Sequence, residues 1–154
     1  MRMARTRFVS VSTELPLPAD KAFALACEIE TMEYVMRPLI VFAVSDEQRE
    51  LAAGELPVGH EFVARLKLFG VLPLWKHRLT IVSKTDNELY TNESSGPARI
   101  WNHRLTFVPL DKRNCRYTDE IEIERGVLGV GTAAFIRVFF RHRHRRWQKF
   151  IRQL

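Results

Sequence analysis

Three residues that could do chemistry fall on one face of predicted strands: His77 in 74–82, His103 in 99–108 and Asp119 in 115–124. A histidine beside a carboxylate can act as a general base, because its ordinary pKa is near ~6.5 and the partner fixes its tautomer. The same groups can instead orient a ligand, or simply satisfy one another as core or rim residues. Two histidines and a carboxylate are also a metal-binding set. Here they come from three separate segments without diagnostic spacing, so no metal and no cofactor is expected. His77, His103 and Asp119 are therefore the catalytic candidates.

The segments that carry them alternate with a period of two. One face of 74–82 holds Trp75, His77, Leu79 and Ile81, and the other Lys76, Arg78 and Thr80. In 99–108, Trp101, His103, Leu105 and Phe107 oppose Asn102, Arg104 and Thr106. In 115–124, Cys115, Tyr117, Asp119, Ile121 and Ile123 oppose Arg116, Thr118, Glu120, Glu122 and Glu124. Such alternation marks antiparallel strands with one face in the core and one in water. Shorter strands are expected at 8–15, 39–44, 60–69 and 88–94, the last with Leu89 or Tyr90 facing in. Between the first two lie short helices, one starting after Pro18 with Ala22, Phe23, Ala26 and Ile29 as its stripe, the next capped by Thr31 and stopped by Pro38.

Residues 131–154 read as one long amphipathic helix, with Ile136, Phe140, Trp147, Ile151 and Leu154 along one stripe. Seven basic residues lie between them, and no acidic residue occurs from Arg137 to Leu154. Removing those seven from the net charge of +6 leaves 17 basic against 18 acidic residues, so the basicity is local. Three readings fit the cationic face: a solvated surface, an anionic membrane contact, or an acidic partner, with nucleic acid disfavoured. His142 and His144 are two apart, cannot form an i, i+4 ligand pair, and are read as continuing that face.

Length 154 and 46% hydrophobic content suit one domain with a sizeable core, spanning 1–154. Cys27 and Cys115 have no CxxC context, which fits free thiols in a reducing compartment. The first fifteen residues lack the apolar run of a secretory signal, no segment reaches 18 apolar residues, and a cytoplasmic location is expected. Ser94–Ser95–Gly96 lacks a GxSxG elbow, and GVLGVGT at 126–132 lacks the spacing of nucleotide-binding loops.

The order of elements, together with LPLPADKAFAL, GELPVGHEF, LWKHRLTIV, RIWNHRLTFV and FFRHRHRRWQKFI, resembles the START-related SRPBCC superfamily over essentially the whole chain. The resemblance implies an α+β helix-grip fold: a curved antiparallel sheet of six or seven strands wrapped around a long C-terminal helix, with two short helices after the first strand. It also implies an apolar cavity between sheet and helix. From strand parity, the expected ligand-binding residues are Trp75, His77, Leu79, Trp101, His103, Leu105, Tyr117, Asp119 and Ile121, with Phe140 from the helix. The leading expectation is a binding protein for a small hydrophobic or aromatic molecule such as a lipid, isoprenoid, quinone or polyketide. The alternatives are a cyclase or dehydratase using the inward His and Asp residues, and an adaptor whose cavity has collapsed and whose basic helix meets membrane or protein.

Overall fold

A computed structural model describes residues 6–53, 56–96, 99–124 and 129–154. The elements run β1 (Thr6–Leu15), α1 (Ala19–Ala26), α2 (Ile29–Met36), β2 (Ile40–Ala43), α3 (Asp46–Ala53), β3 (Glu61–Leu68), β4 (Leu72–Lys84), β5 (Glu88–Ser95), β6 (Trp101–Pro109), β7 (Cys115–Glu124) and α4 (Gly129–Ile151). All seven strands join one antiparallel sheet in the order β1-β7-β6-β5-β4-β3-β2, curled into a half-barrel around α4. This is the helix-grip arrangement of the START-like fold.

The parity of β4, β6 and β7 is as the alternation predicts. Tyr117, Asp119, Ile121, Leu105 and Phe107 are buried, while Arg116 is exposed. Three details differ. Helix α3 is an added element, which sequence periodicity misses because only Ala52 of DEQRELAA is buried and Leu51 points to water. Thr31 does not cap α2. The helix begins at Ile29, and the Thr31 hydroxyl is buried in its first turn, donating to Glu28 at 3.4 Å. Leu154 leaves the apolar stripe, lying beyond α4 and 71% exposed. The predicted 54–59 turn and the glycine loop from Gly126 lie partly outside the described residues.

The core has two parts. Leu15, Phe23, Phe107, Tyr117, Trp147 and their neighbours pack under α1 and the last turns of α4. Val9, Ile40, Ile121, Ile136, Phe139 and Phe140 pack around its earlier turns. Trp147, fully buried, meets Phe107, Tyr117 and Phe150 edge-on at 5.8–6.5 Å between ring centres. That contact fastens the helix to the sheet, and aromatic pairs of this kind add to the area they bury.

Candidate functional site

A cavity of about 400 Å³ lies between the sheet, α2, α3 and α4. Its wall takes residues from both core clusters, with Thr132, Phe135, Phe139, Phe140 and Arg143 as the contribution of α4. Of the residues expected from parity, Trp75, His77, Leu79, Trp101, His103, Leu105 and Phe140 line it. Tyr117, Asp119 and Ile121 face inward but are fully buried behind the wall and do not line the cavity. The reason is position in the sheet: β7 lies under α4, and the open space sits over β3 to β6. Space remains between sheet and helix in this structure.

Trp75 and Phe135 are both lining residues and both substantially exposed, at 44% and 56%. They form an aromatic rim where the cavity meets solvent. Trp75 is held there by its indole N–H, which donates to Ser95 Oγ at 2.5 Å, and by its ring lying against Gly96. A Cβ at Gly96 would come within 2.4 Å of that ring, and the backbone there has φ +56°. Only glycine meets both demands without strain.

One wall of this apolar space is charged, and the sheet register explains why. Glu93 is opposite Leu79, Thr91 opposite His103, and Leu105 opposite Asp119. His77, Glu93, His103 and Asp119 are therefore diagonal neighbours on successive strands, all on the concave face, where diagonal side chains are within reach. His77 Nε2 is 2.7 Å from Glu93 Oε2. Thr91 donates to the other Glu93 oxygen at 2.5 Å, and His103 Nδ1 lies 3.7 Å from it. His103 Nε2 is 2.7 Å from Asp119 Oδ1, to which the Tyr117 hydroxyl also donates at 2.7 Å. His144 Nε2, reaching down from α4, completes the set at 2.7 Å from Asp119 Oδ2, with Arg143 Nη1 at 3.9 Å from Oδ1.

Burial alone would neutralise these groups, yet their pairing reverses its effect. Burial opposes the charge on Asp119, but Arg143 and the hydrogen bonds from His103 and His144 hold its carboxyl well below the usual range. Glu93 is likewise held low against burial by His103 and His77. His103 is raised: burial disfavours its cation, but Asp119 and Glu93 on its two ring nitrogens outweigh that. Burial, reinforced by the charge of Asp119, pushes Tyr117 up, so it stays a neutral donor. The cluster is thus two carboxylates bridged by the His103 ring, with the Arg143 guanidinium beside Asp119.

Glu93, Arg143 and His144 are the residues that sequence reasoning misses. Extending the two-residue parity from Leu89 through Thr91 to Glu93 would have found the first. The helical stripe signals the other two. Between Phe140 and Trp147 an apolar partner is due at 143 or 144, and the sequence offers Arg143 and His144 instead. Both are buried, so neither belongs to the cationic outer face. His142, by contrast, stays near the surface and contacts the Arg37 carbonyl at 3.1 Å.

His77, His103 and Asp119 do not converge on one point as metal ligands, since each histidine is engaged by a carboxylate. Among the described residues no group of three His, Cys, Asp or Glu side chains is placed to hold a metal ion. Both cysteines are free thiols. Cys27 is at the cavity wall and raised by burial, and Cys115 is buried and pushed up to about 11.

Comparison with solved structures agrees with this architecture. A START superfamily protein from Mycobacterium smegmatis superposes with a TM-score of 0.66 at 15% identity, covering 95% of this chain and 97% of that one. Norcoclaurine synthase from Thalictrum flavum, in complex with dopamine and hydroxybenzaldehyde, gives 0.68 at 10% identity, with 97% and 88% covered. A protein of the dynemicin biosynthetic locus, DynU16, gives 0.65 at 13% identity, covering 94% of this chain and 47% of that one. No curated protein matches the sequence. At such identities the likeness is one of fold. The family model described as "Domain of unknown function (DUF8410)" matches residues 13–151, and the chain belongs to that family.

Proposed function

We propose that this protein binds a small hydrophobic or aromatic molecule in the cavity between sheet and α4, with one polar group of the ligand set against His77 and Glu93. The observation that carries this reading is an open cavity of about 400 Å³ that is apolar except for one charged wall. That combination supplies affinity from the apolar surface and orientation from a few polar atoms, and the volume falls within the range of small-molecule sites. The solved relatives support it, since one of them holds dopamine and hydroxybenzaldehyde. A lipid, isoprenoid, quinone or polyketide portion of that size fits the reading. The chain works as one domain in the cytoplasm and meets its ligand in solution or at an anionic membrane through the basic outer face of α4. Titration with the neutral fluorescent probe N-phenyl-1-naphthylamine tests this. One probe per chain is expected, and Ala64→Trp, which fills the cavity from β3, should abolish binding without loss of helix signal.

The series His77–Glu93–His103–Asp119, hydrogen-bonded at its two ends and with 3.7 Å between Glu93 and His103 in the middle, favours a second reading, proton transfer on a bound carbonyl compound by a cyclase or dehydratase. His77 is the group placed for it, because Glu93 fixes its ring while its side chain keeps 19% exposure. On this reading His77→Gln lowers turnover of a polyketide-type carbonyl substrate by about 10² to 10⁴ with binding retained. On the first reading it weakens binding only.

A further inference from the structure

The two ends of the buried network face different spaces. His77, Glu93 and His103 border the main cavity, whereas His144, beyond Asp119, lines a separate polar cleft between the edge strand β1 and α4. Ser10, Ser12 and Thr13 form one side of this cleft, and Arg137, Arg141 and Arg145 the other.

The three arginines are four residues apart, so each follows the last by about 6 Å along one side of the helix. Like charges at that spacing repel. Among the described residues, no carboxylate stands within 4 Å of any of the three, although Arg49, Arg78, Arg104 and Arg116 each meet a glutamate. Arg146 of the same helix is also engaged, donating to the Tyr34 carbonyl at 3.0 Å. Strand β1 brings no acid to the arginines, since Glu14 is turned to Arg116 on the outer face, where Ser12 pairs with Thr118. A second observation is independent of these charges. His144 is 4% exposed, its Nε2 is committed to Asp119, and its Nδ1 makes no hydrogen bond among the described residues while the ring borders the cleft.

We propose that this cleft is a second binding site, for an anion of the phosphate type, whether a soluble phosphate ester or diphosphate or the phosphate of a lipid headgroup. Guanidinium forks match phosphate oxygens two at a time, and adjacent arginines at 6 Å bracket one phosphate. His144 forms the floor. Its Nε2 is engaged by Asp119, and the Nδ1 edge of the ring is left to the anion. The charged groups around the ring are Asp119 from β7 and Arg141, Arg143 and Arg145 from α4, with Tyr117 beside them, and β1 adds no charge. The site would therefore be linked, through Asp119 and His103, to the wall of the main cavity.

Calorimetry with inorganic pyrophosphate, and sedimentation with phosphatidylcholine vesicles with and without phosphatidic acid, test this on the full chain. Expected is one pyrophosphate per chain, or saturable binding to the phosphatidic acid vesicles only. The first result assigns a soluble anion and the second a headgroup. Either should weaken about tenfold or more in Arg141→Gln/Arg145→Gln, whose exposed positions leave the fold intact by circular dichroism. It should persist in Lys149→Gln/Arg152→Gln, which removes the same charge outside the cleft. Equal weakening in both double variants, or no binding of either probe, would overturn the proposal. Because the cleft is separate from the cavity, binding of the neutral naphthylamine probe should be unchanged in the arginine variants.

Discussion

The imidazole of His103 stands 2.7 Å from the carboxylate of Asp119, one diagonal step across the β6–β7 pair, with neither residue more than 6% exposed. Asp119 accepts from His103, His144 and Tyr117 at once, and it is the counter-charge for Arg143. Asp119→Asn leaves the buried Arg143 guanidinium without its counter-charge. Breaking a buried pair in this way costs about 3 to 5 kcal/mol. Urea denaturation of the variant should show a loss of that order, and a loss under about 1 kcal/mol would show that the network does not depend on this carboxylate.

The same groups set the pH dependence of stability. His103 is raised on folding, so its contribution is complete below its ordinary value of ~6.5 and disappears as pH rises through the higher folded value. Glu93 and Asp119 are lowered, so their contributions are complete above the ordinary carboxylate range near ~4 and decline progressively below it. The melting temperature should be highest between those limits. In His103→Gln the alkaline decline should flatten, which melting curves from pH 5 to 9 would reveal.

Trp147 ties α4 to the sheet, and truncating a buried tryptophan to alanine costs about 3 to 5 kcal/mol. Its indole N–H has no hydrogen-bond partner among the described residues. Trp147→Phe should therefore cost much less than Trp147→Ala, because the loss of volume is offset by removing an unsatisfied buried donor. Denaturant midpoints of the two variants measure the difference, and equal losses would contradict it.

Cys27 lines the cavity and Cys115 is sealed in the core with its thiol pushed up to about 11. At neutral pH a small maleimide should label Cys27 slowly and Cys115 only on unfolding, since the thiolate is the reactive form. Saturating the cavity with an apolar ligand should slow Cys27 labelling. Mass spectrometry of timed samples checks both statements.

Much of this was legible in the residues themselves. Two-residue alternation places His77, His103 and Asp119 on one face because the sheet is antiparallel and solvated on the other side. Which inward residues border open space is not a local property. Asp119 and Leu105 are opposite one another in the register, yet only Leu105 reaches the cavity, since His144 and Arg143 of α4 cover Asp119. Polarity misled in the other direction at Arg143, His144 and Glu93. A charged residue on a helix or strand is ordinarily solvated, and here each is buried because the others are present. The short helix α3 escaped notice for want of an apolar stripe.

The central claim is that the cavity holds a small apolar molecule, and the most direct measurement is native mass spectrometry of the freshly purified protein, followed by denaturing extraction of whatever it carries. The account predicts one lipophilic adduct per chain, released on unfolding, absent from Ala64→Trp and held more weakly by Glu93→Gln by the equivalent of about 1.5 to 3 kcal/mol, the worth of a hydrogen bond to a charged group. A protein that emerges bare, and takes up no member of a broad panel of lipids, quinones and aromatic polyketides at concentrations that saturate other such cavities, would contradict it.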